Sequence, residues 1–295
     1  MLLRRAAAGA RKSARLRALT IVVRSGSPQA IGLLRAAARD DDASVVAAVV
    51  RLTSELPTRS ADMLLLDVLV AGRHPRSRTA TELEPRSARI RSELVQLSEH
   101  PDATLRFWAV TLLGREPGDV RVASALALRA GDVDPSVRAA AAEALVQVDR
   151  EVAAPILHRL LDDSVFYVRA HAARGIGEAG LDELADDVLP LLADSNWWVR
   201  AAAKESLLAL GTVGFRAAVA ALEHADRFAR DGALEIVVGS VHLQDLLAAA
   251  ERGDPAAKML AATIAARRVR STETELAAET PTPLAAHPAK IAAAA

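Results

Sequence analysis

Few side chains in this sequence combine the types and spacing that chemistry requires. Gly175-Ile176-Gly177-Glu178-Ala179-Gly180 fits the glycine pattern that cradles a dinucleotide phosphate. That pattern works only between a strand and a helix that opens on the phosphate. Here it follows an alanine-rich helical stretch, so the glycines are expected at a helix exit and in the linker to the next element. His158 and Asp162 stand one helical turn apart and offer two metal ligands, whereas a stable site wants three or four. An exposed polar pair is the plainer reading. No nucleophile elbow, zinc-protease motif or P-loop occurs, and the absence of cysteine removes thiolate ligands, disulfides and a cysteine nucleophile together. No catalytic residue, metal site or cofactor is expected, and no small-molecule substrate.

The elements around these residues repeat. An acid or amide followed four positions later by a base recurs as Asp102/Arg106, Asp134/Arg138, Asn196/Arg200, Asp226/Arg230 and Asp254/Lys258. Arg169 keeps the register although Val165 stands at its cap, and Asp42/Val46 keeps the cap without the base. The basic anchors at 106, 138, 169, 200, 230 and 258 recur at a period near 31. Three residues after each stands alanine: Ala109, Ala141, Ala172, Ala203, Ala233 and Ala261. Each unit therefore presents an apolar stripe with a small residue where helices meet. Pro135 and Pro255 occupy the first helical position, which tolerates a missing N–H. A leucine-rich stretch precedes each cap, as in Leu160-Leu161-Asp162-Asp163-Ser164 and Leu191-Leu192-Ala193-Asp194-Ser195, and supplies the first helix of a pair. The acid caps the second helix, and the arginine one turn on is expected to bridge neighbouring units.

The leucine-rich first helix and the Val-Arg-x-x-Ala-Ala second helix resemble the short HEAT repeats of bacterial proteins, of the phycobilisome-lyase-like type. The resemblance is strong over 86–211, fair over 25–55 and 214–268, and poor over 73–85. It implies an all-α fold, an α-solenoid wound as a right-handed superhelix of about seven or eight antiparallel helix pairs. The expected organisation is a basic segment over 1–24, a solenoid over 25–270 with a degenerate repeat or inserted loop near 73–85, and a Pro- and Ala-containing tail over 271–295 without fixed structure. HEAT-like deoxyhypusine hydroxylases build a di-iron site from repeated His-Glu dipeptides, and no histidine here is followed by glutamate. Phycobilin-lyase-like or hydroxylase-like catalysis remains the alternative from another class.

Function is therefore expected to lie in binding a protein partner, and two sets of residues are candidates. Tyr167, Trp198 and Phe228 stand two positions before the anchor in three consecutive units, with Phe166 and Trp197 beside the first two. Stacked units would line these rings along one edge, either as a binding hot spot or as packing over the neighbouring turn. The second set is Arg4, Arg5, Arg11, Lys12, Arg15 and Arg17, a run that suits a membrane surface or an anionic partner and equally a solubilising cap. No acid precedes Asp40, so the nine bases before it leave the rest of the chain with a clear acidic excess. An acidic body argues against a nucleic-acid partner. No apolar run reaches the length of a membrane span, and a cytoplasmic location is expected. Arg106-Phe107-Trp108-Ala109 and Asn196-Trp197-Trp198-Val199-Arg200 also resemble bacterial HEAT proteins that carry one N-terminal membrane helix and are encoded beside glycosyltransferases. That likeness implies peripheral membrane attachment, or an attachment lost with a shortened start.

Overall fold

The computed structural model describes residues 11–115 and 119–279, with side-chain environments given as far as residue 269. Helix α1 (Lys12–Arg24) is followed by eight helix pairs. The first three are α2 (Ala30–Ala37) with α3 (Ala43–Ser54), α4 (Arg59–Ala71) with α5 (Arg76–Leu83), and α6 (Arg91–Leu97) with α7 (Ala103–Leu113). Next come α8 (Val120–Arg129) with α9 (Pro135–Ala144), α10 (Arg150–Leu160) with α11 (Phe166–Glu178), and the short α12 (Ala185–Val188) with α13 (Trp197–Ala209). The last two are α14 (Gly211–Ala221) with α15 (Arg227–Gly239), and α16 (His242–Glu251) with α17 (Pro255–Glu279). The described residues form an α-solenoid with one continuous apolar core from Leu19 to Ile264.

The second helices start where a side chain satisfies their free N–H groups. Asp102, Asp134 and Asn196 each accept the N–H two residues on, at 2.8 to 2.9 Å, while Asp226 accepts that of Ala229. The second layer also packs more closely than the first: α7, α9, α11 and α13 rest on one another in order along alanine faces. A Cβ on Gly177 would lie 2.7 Å from Ser206 Cα, and one on Gly175 would lie 3.1 Å from the Ala142 carbonyl oxygen. These two glycines therefore sit in the last turn of α11, at the expected helix exit, and are points of helix contact as well. Gly180, at φ 62°, makes the turn into the linker. Closer spacing in one layer than in the other curves the stack toward the closer layer, so the second helices take the inner side.

Two expected boundaries move, and one open alternative is decided. Helix α1 buries Ala18, Leu19, Val22 and Val23, so the solenoid includes Lys12–Arg24, ahead of the expected start at 25. Residues 73–85 are a degenerate repeat and not a loop, because α5 buries Thr79, Ala80 and Leu83 in them. A 3₁₀ turn, Glu84–Ile90, follows and is held by a buried ion cluster. In that cluster Arg86 Nη1 donates to Asp62 at 2.6 Å and to the Leu56 carbonyl at 3.0 Å, and Arg89 reaches the same carboxylate at 2.9 Å. Helix α17 continues to Glu279, inside the segment expected to lack structure, and 280–295 lie outside the described residues.

Candidate interaction edge

The anchors Arg106, Arg138 and Arg169 do bridge neighbouring units, but their partner is not the cap. It is the aspartate two residues before the next cap, where the sequence pattern had not placed it. Arg106 spans both oxygens of Asp132 at 2.7 and 2.8 Å. Arg138 spans Asp163 at 2.7 and 2.8 Å, and Arg169 spans Asp194 at 2.8 and 3.0 Å. In each case Nε and Nη2 face the carboxylate, while Nη1 turns back to the carbonyls that open its own helix. Each aspartate also accepts the cap residue's N–H, as Asp163 does from Val165 at 2.9 Å. That bond supplies the order that Val165 cannot supply by itself. Burial opposes ionisation of Asp132, Asp163 and Asp194, yet the bidentate arginine and the cap N–H outweigh it and hold all three carboxyls below their usual range.

Along the same helix starts lie the aromatics. Trp197 is 57% exposed, Phe228 53%, Trp198 48% and Phe166 38%, while Tyr167 is half-buried. The indoles of Trp197 and Trp198 stack at 4.1 Å, and Phe166 meets Tyr167 edge to face at 5.5 Å. These ring contacts run within a unit. Arginine links one unit to the next: the Arg200 guanidinium lies 4.2 Å above the Phe228 ring, and Tyr167 lies in the field of Arg138. The edge is thus an alternation of rings and guanidinium groups. Its cationic half was not legible from the aromatic positions alone.

The other candidates disperse. His158 Nε2 lies 3.3 Å from Asp187 of the next unit, and among the described residues no cluster of three or more potential ligands could hold a metal. Arg15 is only 16% exposed and pairs with Asp40 at 2.8 Å, and Lys12 lies 3.4 Å from Asp42. Both are engaged inside the solenoid, which corrects their assignment to a free basic arm. Arg11 and Arg17 are exposed, and Arg4 and Arg5 lie outside the described residues. A depression is lined by Arg73, His74, Arg76 and Trp108, but Arg73 donates to the Arg39 carbonyl and Arg76 to that of Leu69. Among the described residues no single helix is long and apolar enough to cross a membrane.

Residues 91–169 and 159–236 match the family of HEAT repeats. Among solved structures, an engineered protein aligns with a TM-score of 0.43 at 16% identity, covering 90% of this chain and 87% of that one. Importin beta aligns with a TM-score of 0.44 at 14% identity over 90% of this chain, which spans 39% of importin beta's length. Human deoxyhypusine hydroxylase aligns with a TM-score of 0.35 at 20% identity, covering 81% and 96% of the two chains. Likenesses of this size say nothing about activity. No curated protein matches the sequence. The family match covers the span in which cap, arginine and alanine recur most regularly, and on these grounds residues 91–236 of the chain are HEAT repeats.

Proposed function

We propose that the protein is a non-enzymatic scaffold that binds a protein partner along the edge formed by Phe166, Tyr167, Trp197, Trp198 and Phe228. The observation that carries this reading is the exposure of large rings at consecutive second-helix starts, where the same position elsewhere in the array carries small or polar residues such as Ser136 and Ala256. Large amphipathic rings on a rigid backbone lose little conformational freedom on binding and contribute strongly to interface energy. A solenoid holds them at fixed spacing, so the mechanism is shape complementarity, with flexing spread over the units. Membrane contact and a glycosyltransferase partner gain no support from the described residues and form no part of the proposal.

Cross-linking capture with the wild type beside Trp197→Ala and Trp198→Ala tests the edge. Both positions are exposed, so the variants should keep wild-type helicity by circular dichroism. Loss of a wild-type partner is expected in each. Equal capture by all three would reduce the rings to surface packing.

A further inference from the structure

The arginine ladder follows a pairing rule within this one chain. Where a unit supplies an arginine at the anchor, the next unit supplies aspartate two residues before its cap. This holds for Arg15/Asp40, Arg106/Asp132, Arg138/Asp163 and Arg169/Asp194. Where the anchor is not arginine, the aspartate is missing too: Val46 is followed by Arg73, and Thr79 by His100. Two units break the rule. Arg200 is followed by His224 and Arg230 by Arg252, so two arginines stand without their aspartate, one unit apart.

Both keep the posture of the paired arginines. Arg200 Nη1 donates to the Asp194 and Ser195 carbonyls at 2.8 and 3.2 Å, and Arg230 Nη1 to the His224 and Ala225 carbonyls at 2.8 and 2.7 Å. His224 also keeps half of the aspartate's work, since its Nδ1 accepts the Asp226 N–H at 3.0 Å as Asp194 accepts that of Asn196 at 2.8 Å. What is missing is a carboxylate on the Nε and Nη2 edge. Among the described residues neither Arg200 nor Arg230 pairs with an acid, and the face of Arg200 rests on Phe228.

We infer that Arg200 and Arg230 receive their carboxylates from the partner, as two acidic side chains of one protein segment laid across α13 and α15. The inference rests on the scaffold reading above and adds its chemistry: an acid beside an apolar group, the acid against an arginine and the apolar group against Phe228 and Trp198. Helices pack about 8–10 Å apart, and a segment in the polyproline-II conformation advances about 3.1 Å per residue with three residues per turn, so two acids three residues apart share a face at about that spacing. A carboxylate is favoured over a phosphate polymer. Every filled rung holds a carboxylate, two oxygens set against Nε and Nη2 of one arginine.

His224→Asp tests this by restoring the rung internally. In the purified full-length chain, the Asp side chain should take over the edge of Arg200, raise the melting temperature and compete with the partner. Short random peptides displayed and selected on the wild type should be enriched in Asp or Glu spaced near three, and their affinity should fall at least about tenfold on His224→Asp and on Arg200→Gln. A variant that melts higher and binds less cannot be dismissed as misfolded. Unchanged binding by His224→Asp, or a melting temperature that does not rise, overturns the inference. Apolar peptides without acids, lost with Trp198→Ala and kept with His224→Asp, overturn it while sparing the aromatic edge. Failure of the wild type to select any peptide defeats both readings. Displacement of the acidic peptides by oligothymidylate or inorganic phosphate at equal charge overturns the carboxylate assignment.

Discussion

Asp163 shows what one side chain carries in this array. It receives Nε and Nη2 of Arg138 from the preceding unit and the N–H of Val165 from its own, so it joins two units and starts a helix together. The carboxylate is 9% exposed and its arginine 16%. Asp163→Ala should therefore cost about 2–3 kcal/mol in urea denaturation, because it leaves a poorly solvated guanidinium and a helix N–H without partners. Glu205, which pairs with Arg174 across the next interface along the array, is 60% exposed. Its replacement by alanine should change stability by less than about 1 kcal/mol. The ladder also sets a pH dependence. The carboxyls of Asp132, Asp163 and Asp194 ionise more readily folded than unfolded, so their stabilisation is complete above the ordinary carboxylate pKa of about 4 and is lost as pH falls through the depressed folded values. Melting temperatures taken from neutral pH downward should show that loss, and Asp163→Asn should make the acid limb shallower.

For the helices, spacing matters more than propensity. Alanine is the better helix former at any interior position, so propensity alone would have glycine replaced throughout α11. Gly177→Ala is nonetheless expected to destabilise by about 1–3 kcal/mol, since its Cβ would press on the Ser206 backbone and α13 would have to move. Gly32, within α2, has nothing within 4 Å of a Cβ. Gly32→Ala should stabilise by about 0.5–1 kcal/mol. Calorimetry on the two variants separates the effects, because one substitution gives opposite signs at two helical sites. Stabilisation by both would mean that the close approach of α11 and α13 is wrong.

At the scale of the whole molecule, a solenoid has no central core to share, so stability is local and passes from neighbour to neighbour. The middle units carry the complete rungs and the closest helix contacts, whereas α16 buries only Ala250 and the rungs before it lack their aspartates. Hydrogen exchange should accordingly be slowest in α9, α11 and α13 and fastest toward α16. If the order were reversed, the paired rungs would not be what couples the units. The open rungs then fall where the array is softest, the end at which binding a partner would raise protection most.

The period of 31, the caps at Asp102, Asp134, Asn196 and Asp226, and the alanines after each anchor were legible because they act within a turn or two of one helix. The fold class follows from them, and so does the line of Tyr167, Trp198 and Phe228. Which acid meets which arginine was not legible, because Arg138 and Asp163 lie 25 residues apart and meet only when two units stack. Stacking also decided that Arg15 belongs to a rung, that Asp62 ties Arg86 and Arg89 into the weakest repeat, and that Gly175 and Gly177 touch the neighbouring units. A side chain's local work is written beside it in the sequence, whereas its partner in the next unit is fixed only by the geometry that brings the two together, and the rungs open at Arg200 and Arg230 can be seen only there.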